Sequence, residues 1–499
     1  MGDGPGRSDE SGNITHLKVN KRGKYVRKKQ KMWKMQERDK KMGKKTIEKN
    51  AITEGVIWKQ LLIFFFPIML GTLIQQLYTT VDTIIVGRFV GKAALASVGG
   101  PAAVLSTIVV TFFNGLANGA AVIIAQYYGA KDRKSLHVGV HTAYLFSVVI
   151  SLIVSLTGTV LTPWLLKIMN TPQDMMADSI TYLRIYFMGI LFTLVYNMGS
   201  AIMRAVGDSR RPLLYLLICC VMNIILDIVM VVGMKMGIAG AALATVISQC
   251  VSAVLVTWSL TRAYDAMKLK FRELRMDTRV LRKELKIGVP GALQACAYGV
   301  TNVVIQASVN SFGTDTAAGW AAYGKLDMIF WTVSSALGAA VTTFAGQNYG
   351  AGKMDRVYKS IRVNVVISYI FTGAIIIVLF AFCEPLYHMF TTDPKVIGIG
   401  VYMLRFLIPS YLLSVLLENL SGGLRGLGDV LWPTIFTFGG LFFVRLPWII
   451  ILTKMHHKVE ILLISYPMAW GATLLCLIPY YFWRKKRRMS TYGSHLQKS

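Results

Sequence analysis

The sequence predicts an all-α polytopic membrane protein, with twelve transmembrane helices in two parallel-repeat six-helix lobes. Three observations carry that expectation. Of 499 residues, 54% are apolar and 16% charged, well under the quarter expected of a soluble chain. The mean hydropathy is +0.50. Two sets of sequence fragments also recur at one constant spacing. High apolar content excludes disorder for most of the chain, and a soluble multi-domain enzyme does not fit.

The expected helices run over 56–82, 94–120, 137–161, 180–203, 212–234, 238–261, 286–311, 316–345, 359–383, 397–422, 431–453 and 461–483. Residues 236–261 and 461–483 contain no Asp, Glu, Lys or Arg. In lipid such segments must satisfy their own backbone polar groups, which makes them helices. A membrane barrel would show ten-residue alternation instead.

The repeat has an offset of 221 residues. Gln126-Tyr127-Tyr128-Gly129-Ala130 matches Gln347-Asn348-Tyr349-Gly350-Ala351, and Arg204-Ala205-Val206-Gly207-Asp208 matches Arg425-Gly426-Leu427-Gly428-Asp429. Leu183-Arg184 and Leu404-Arg405 agree at the same offset, as do Pro212 and Pro433. Six helices duplicated with an even count insert the same way round, as in transporters whose lobes rock against each other. The expected organisation is a basic, disordered tail over 1–50, a first lobe over 51–261, a loop over 262–285, a second lobe over 286–483 and a basic tail over 484–499.

Charge sets the orientation. Residues 1–50 hold 16 Lys/Arg against 6 Asp/Glu, the stretch 262–286 carries nine Lys/Arg, and Arg484-Lys485-Lys486-Arg487-Arg488 follows the last helix. Lys131, Arg133, Lys134, Arg204, Arg210, Arg211, Lys353 and Arg356 fall on the same expected side. The positive-inside rule then puts both termini in the cytoplasm, in a cell (plasma) membrane. The tails are expected to attract anionic headgroups rather than nucleic acid. The six cysteines form no CxxC and imply no metal.

An ionisable side chain at membrane depth is a functional candidate by default. Asp82 lies near the outer end of the first helix. Asp227 lies 15 residues after Pro212, roughly 22 Å along the fifth helix. Asn223 shares its face, and Thr245 reaches a similar depth on the sixth helix. Together they predict an oxygen-rich pocket for a proton or a small cation such as Na⁺. The second lobe does not copy it, since Trp448 and Val444 stand at the matching positions. Glu418, opposite Asn197 in the repeat, and Asp327 are candidates for a substrate cavity. Pro67 sits in mid helix, where it removes a backbone bond and permits a bend. His137 and His141 have an i, i+4 spacing but no third ligand, so no metal is expected.

These residues together resemble the multidrug and toxic compound extrusion (MATE) transporters. The likeness rests on Pro67, Gln75-Gln76-Leu77-Tyr78-Thr79-Thr80-Val81-Asp82-Thr83, Gln126-Tyr127-Tyr128-Gly129-Ala130, Arg204-Ala205-Val206-Gly207-Asp208, Asn223, Leu226-Asp227 and Gly240-Ala241-Ala242. Gly346-Gln347-Asn348-Tyr349-Gly350-Ala351-Gly352 and Leu424-Arg425-Gly426-Leu427-Gly428-Asp429 match in the second half. The likeness spans about 50–485. It implies an antiporter that expels organic, often cationic, drugs in exchange for H⁺ or Na⁺, without further cofactors and as a monomer. It also implies a cation site at Asp82, Asn223, Asp227 and Thr245, with Tyr182 beside it, and a bending helix at Pro67. Ile228 stands where the family usually has proline. Helix 7, read as 286–311, lacks the acid of another branch. An enzyme is not expected, because no acid, base and nucleophile share a depth. The alternative reading is a lipid-linked oligosaccharide flippase of the same superfamily.

Overall fold

The computed structural model describes residues 2, 51–263 and 265–496. The expected disordered tail over 1–50 lies outside them except for Gly2 and is not considered further. Twelve long helices make up the chain: α1 (Ile57–Phe89), α2 (Ala94–Gly129), α3 (Arg133–Ile168), α4 (Gln173–Ala205), α5 (Arg210–Gly233), α6 (Gly237–Thr261), α7 (Thr278–Ser311), α8 (Thr314–Gly350), α9 (Met354–Ala381), α10 (Pro394–Gly426), α11 (Leu431–Leu452) and α12 (Val459–Ser490). Eleven of them are long and apolar enough to cross a bilayer by composition alone; α7 is not. Its first turns are basic, and Gln294, Asn302 and Gln306 on it face a cavity described below.

The repeat reaches the helix boundaries. α1, α3, α4 and α5 begin 221 residues before α7, α9, α10 and α11. Three expected boundaries were short. α1 runs on to Phe89, so Asp82 has seven helical residues beyond it rather than ending the helix. α7 begins at Thr278, not 286, and therefore carries an acid, Glu284. The last helix continues past 483 as far as Leu496. In each case polar or basic residues prolong a helix beyond its apolar stretch, where hydropathy has no signal.

Irregular turns cluster where side chains matter. Gly100 leaves the helical region just before Pro101, and breaks α2 near its start. Wide π-type turns occupy Ile228–Gly233 directly after Asp227, and Trp448–Leu452 at the matching place in α11. Such turns often mark functional sites.

Two sets of contacts join the lobes. The first is a reciprocal clasp at the end bearing the basic loops. An α-helix leaves its last four carbonyls unpaired. Gln126 of α2 donates from Nε2 to the Gly426 carbonyl that ends α10 (2.9 Å), and Gln347 of α8 donates to the Ala205 carbonyl that ends α4 (2.7 Å). Gly129 and Gly350 allow this closeness. A Cβ on Gly129 would lie 2.0 Å from the Gln347 carbonyl oxygen, and one on Gly350 would lie 1.9 Å from that of Gln126.

In the second set, α1 and α7 reach across. Ile57, Leu61, Phe64 and Phe65 of α1 are buried against Val333, Leu337 and Phe344 of α8 and Ile367 of α9. Farther along, Gly71 of α1 packs on Leu213 and Leu216 of α5. Pro67 falls between these two attachments. Its repeat partner α7 lies against α2 through small residues, Gly115 on Ala292 and Gly119 on Gly288, the small-xxx-small pattern of close helix pairs. The segment before α1 is strapped to the second lobe as well. Lys353 Nζ donates to the Thr53 carbonyl (3.0 Å), and Arg356 donates to those of Ile52 and Gly55.

The two histidines anchor the loop between the lobes. His141 Nδ1 donates to the His137 carbonyl, so its Nε2 accepts from the Lys270 amide at 3.1 Å. His137 pairs with Glu273 (2.9 Å). Lys270 and then His137 hold the exposed Glu273 carboxyl below its ordinary range by hydrogen bonding.

Two outcomes follow. Gly350→Leu should lower thermal stability in detergent by about 1–3 kcal/mol, the usual cost of overpacking; an unchanged midpoint would show that α2 and α8 do not meet here. His141→Ala should make the Arg/Lys-rich loop 262–277 several-fold more sensitive to trypsin. An unaltered cleavage rate would mean that something else secures the loop.

Candidate functional site

Two polar regions lie between the helices. The first is inside the amino-terminal lobe. Asp82 on α1 and Asp227 on α5 turn their side chains toward each other. Asp227 is fully buried and Asp82 nearly so, and Asn223 lies buried one turn before Asp227. Oδ1 of Asp82, both carboxyl oxygens of Asp227 and both amide atoms of Asn223 have no hydrogen-bond partner. Among the described residues, no salt bridge reaches either aspartate. Burying unpaired polar atoms costs several kcal/mol, so the cluster is not explained as fold stabilisation. Tyr182 is buried beside the pair. Its ring stacks on Tyr186 at 6.2 Å, and Tyr78 of α1 approaches from the other side. Thr245 is buried on α6, which packs against both α4 and α5. Sequence reasoning missed Tyr78 and Tyr186. Tyr78 sits one turn before Asp82, and Tyr186 one turn after Tyr182, so helical spacing from the named residues would have found both.

The second region is a cavity of about 670 Å³ between α2 and the carboxy-terminal lobe. It belongs mostly to α7, α8, α10, α11 and α12, with aromatic walls that include Tyr298, Trp320, Trp331 and Trp470. Asp327 and Glu418 both line it; Asn197 does not. The reason lies in the repeat. Asn197 sits on α4 in the other lobe, away from the α7–α12 wall. Asp327 accepts from Tyr411 Oη at 2.6 Å and from Trp331 Nε1 at 2.9 Å. Glu418 lies 3.9 Å from Arg425. A smaller chamber of about 200 Å³ adjoins it and is lined by both Arg204 and Arg425, which are partners under the 221 offset.

Glu284 was hidden by the short expected boundary of α7. It is buried where α7 meets α2, and neither carboxyl oxygen has a partner. Replacing an uncompensated buried carboxylate by an apolar side chain of similar size usually stabilises by 1–4 kcal/mol. Glu284→Met should therefore raise the melting midpoint of the purified protein; a lower midpoint would show that the carboxylate has a stabilising partner.

Comparison with known proteins agrees with this architecture. The MatE family model matches residues 67–229 and 290–451, one match in each lobe. The chain is 30% identical over 444 residues to "Probable multidrug resistance protein YoeA" of Bacillus subtilis, covering 86% of this chain and 95% of that one. It is 27% identical to "Probable multidrug resistance protein NorM" of Thermotoga maritima, over 80% of this chain and 86% of that one. Among solved structures it is similar in fold to a MATE in the straight conformation (TM-score 0.80, 20% identity, 89% of this chain and 99% of that one). A similar likeness holds for the outward-facing conformation of a multidrug resistance MATE family transporter (TM-score 0.79, 20% identity, 89% and 98%).

Proposed function

The chain belongs to the MatE family, and from that premise we propose that it is a multidrug efflux antiporter that exchanges organic compounds for H⁺ or Na⁺ by alternating access. The observation that carries this reading is the pair of facing, buried carboxylates at Asp82 and Asp227, with no cationic side chain to balance them. Two bare carboxylates about 4 Å apart repel by roughly 4 kcal/mol at an effective dielectric of 20. A proton or a Na⁺ relieves that repulsion, and Asn223, Tyr182 and Thr245 supply further oxygens around it. Relatives named multidrug resistance proteins support the choice of cargo.

In this reading the basic end faces the cytoplasm, both termini included, and the membrane is the plasma membrane. The clasp made by Gln126 and Gln347 closes that end, and the cation reaches Asp82 and Asp227 from outside. Pro67 is the hinge. It separates the part of α1 held in the Phe64–Phe344 cluster from the part that carries Asp82. Filling the acidic pocket repacks the outer part of α1 on α5, and the inner part passes that movement to the other lobe. Asp327 and Glu418 line the chamber where the organic compound binds. The bound cation must favour one state over the other, or nothing is driven. A unit charge crossing 100 mV contributes about 2.3 kcal/mol. The flippase reading is the weaker one. Of the arginines near the axis, Arg425 is engaged by Glu418, so they do not form a single cluster for a pyrophosphate.

The test is ethidium uptake into everted vesicles, with proton and sodium gradients imposed one at a time. Asp227→Asn and Asp82→Asn should each cut gradient-driven uptake by about tenfold or more, with expression and insertion intact. Undiminished uptake in Asp227→Asn would remove the pair from the mechanism.

A further inference from the structure

The large cavity contains a cation that none of the foregoing uses. Arg445 of α11 is 2% exposed. Its guanidinium lies flat on the Tyr466 ring of α12, with Cζ 3.6 Å from the ring centroid. Nε and Nη2 have no hydrogen-bond acceptor. No carboxylate among the described residues lies within salt-bridge distance of it. The two acids that share the cavity are occupied elsewhere. Both oxygens of Asp327 accept hydrogen bonds, from Tyr411 and Trp331, and Glu418 faces Arg425.

The formal charges of the cavity wall also matter. Asp327 and Glu418 are offset by Arg425 and Arg445. The chamber is therefore not the net acidic vestibule that a simple organic cation would favour. It presents separated patches of opposite sign on an aromatic lining. A fixed, buried guanidinium without a counter-charge is costly. Its planar fork matches a carboxylate in two-point contact. Its stacking on Tyr466 holds that fork in one plane beside the cavity.

We propose that Arg445 is an anion-binding subsite of the central cavity, and that the cavity takes amphipathic aromatic zwitterions: flat ring systems whose carboxylate meets Arg445 while their cationic end lies toward Glu418 and Asp327. This deepens the efflux reading and rests on it for the cavity being where cargo binds. It assigns a substrate class, and it gives Arg445 a specificity role distinct from the Asp82–Asp227 pair.

The experiment is equilibrium binding to the full-length protein in nanodiscs, without any gradient, read by fluorescence anisotropy. The probes are a rhodamine with a free benzoate and its methyl ester. They share rings and cationic end and differ by one negative charge. A charge-assisted hydrogen bond contributes about 1.5–3 kcal/mol, so Arg445→Gln should weaken the free acid by about tenfold or more. The ester should change by less than about twofold, which also reports a folded cavity. Arg445→Lys, which keeps the charge and loses the fork, should fall between. If Arg445→Gln weakens both dyes equally, or neither, the subsite is overturned. Should that variant not fold, the wild-type comparison decides: the acid must bind more tightly than the ester, and the reverse order sinks the proposal. Gradient-driven transport of the ester that Asp227→Asn abolishes would leave the efflux reading standing even then.

Discussion

The closed end of the molecule depends on one constraint: a helix end buried between lobes must find partners for its last carbonyls. Here each lobe supplies the partner for the other. Gln126 completes α10 and Gln347 completes α4, and Gly129 and Gly350 remove the side chains that would hold the helices apart. Neither lobe satisfies its own helix ends, so the two meet at that end or leave polar groups bare in a dry contact. Four helix ends are fixed to one another there. The chambers lie away from that junction, with Arg204 and Arg425 lining the smaller one.

The scaffold is duplicated and the chemistry is not. Asp227 and Asn223 correspond to Trp448 and Val444, so the amino-terminal lobe has unpaired acids where its partner has an aromatic and an aliphatic side chain. Glu418 corresponds to Asn197, and only the former reaches the large cavity. The lobes thus differ in what they can bind. One presents oxygen ligands alone, suited to a proton or a bare cation. The other presents rings with charges of both signs, suited to a larger organic molecule. On the reading proposed above, this separation lets ion and cargo compete through conformation rather than for the same atoms.

Much of this was legible in the sequence, and the reasons are specific. The 221 offset exposed the repeat because the duplicated loops contain glycines and prolines whose backbone roles tolerate few replacements. The Asp82–Asp227 pocket was legible because acids at membrane depth are rare enough to stand out. What escaped was whatever depended on lateral packing. Gln126 and Gln347 were noticed as repeat marks, but their reach across the axis to Gly426 and Ala205 cannot be read along one helix. Glu284 was hidden because α7 starts among basic residues, where hydropathy places a loop. Asn197 was expected at the cavity by its correspondence with Glu418, yet an offset in sequence carries over backbone position and not the cavity that one lobe alone builds. The histidine pair, metal-like in spacing, secures a loop through a backbone amide that no spacing rule anticipates.

The exchange of α1 and α7 explains how such separated sites can influence each other. Were each lobe self-contained, a change around Asp82 would stop at the lobe boundary. Instead the same helix that carries Asp82 continues past Pro67 into a cluster of phenylalanines shared with α8 and α9, and α8 carries Asp327 into the cavity wall. α7 does the converse. Its inner part is sealed on α2 by glycines too close to admit side chains, while its outer part contributes Tyr298 and Asn302 to the cavity. Packed interiors respond to such displacements by switching between arrangements rather than by yielding smoothly. Proline is suited to the junction in α1 because it leaves one carbonyl without its helical donor, so bending there breaks fewer hydrogen bonds than anywhere else along the helix. The coupling therefore requires no chain of polar contacts between the pocket and the cavity. It requires only that one rigid segment belong to both lobes and that its weak point lie between them.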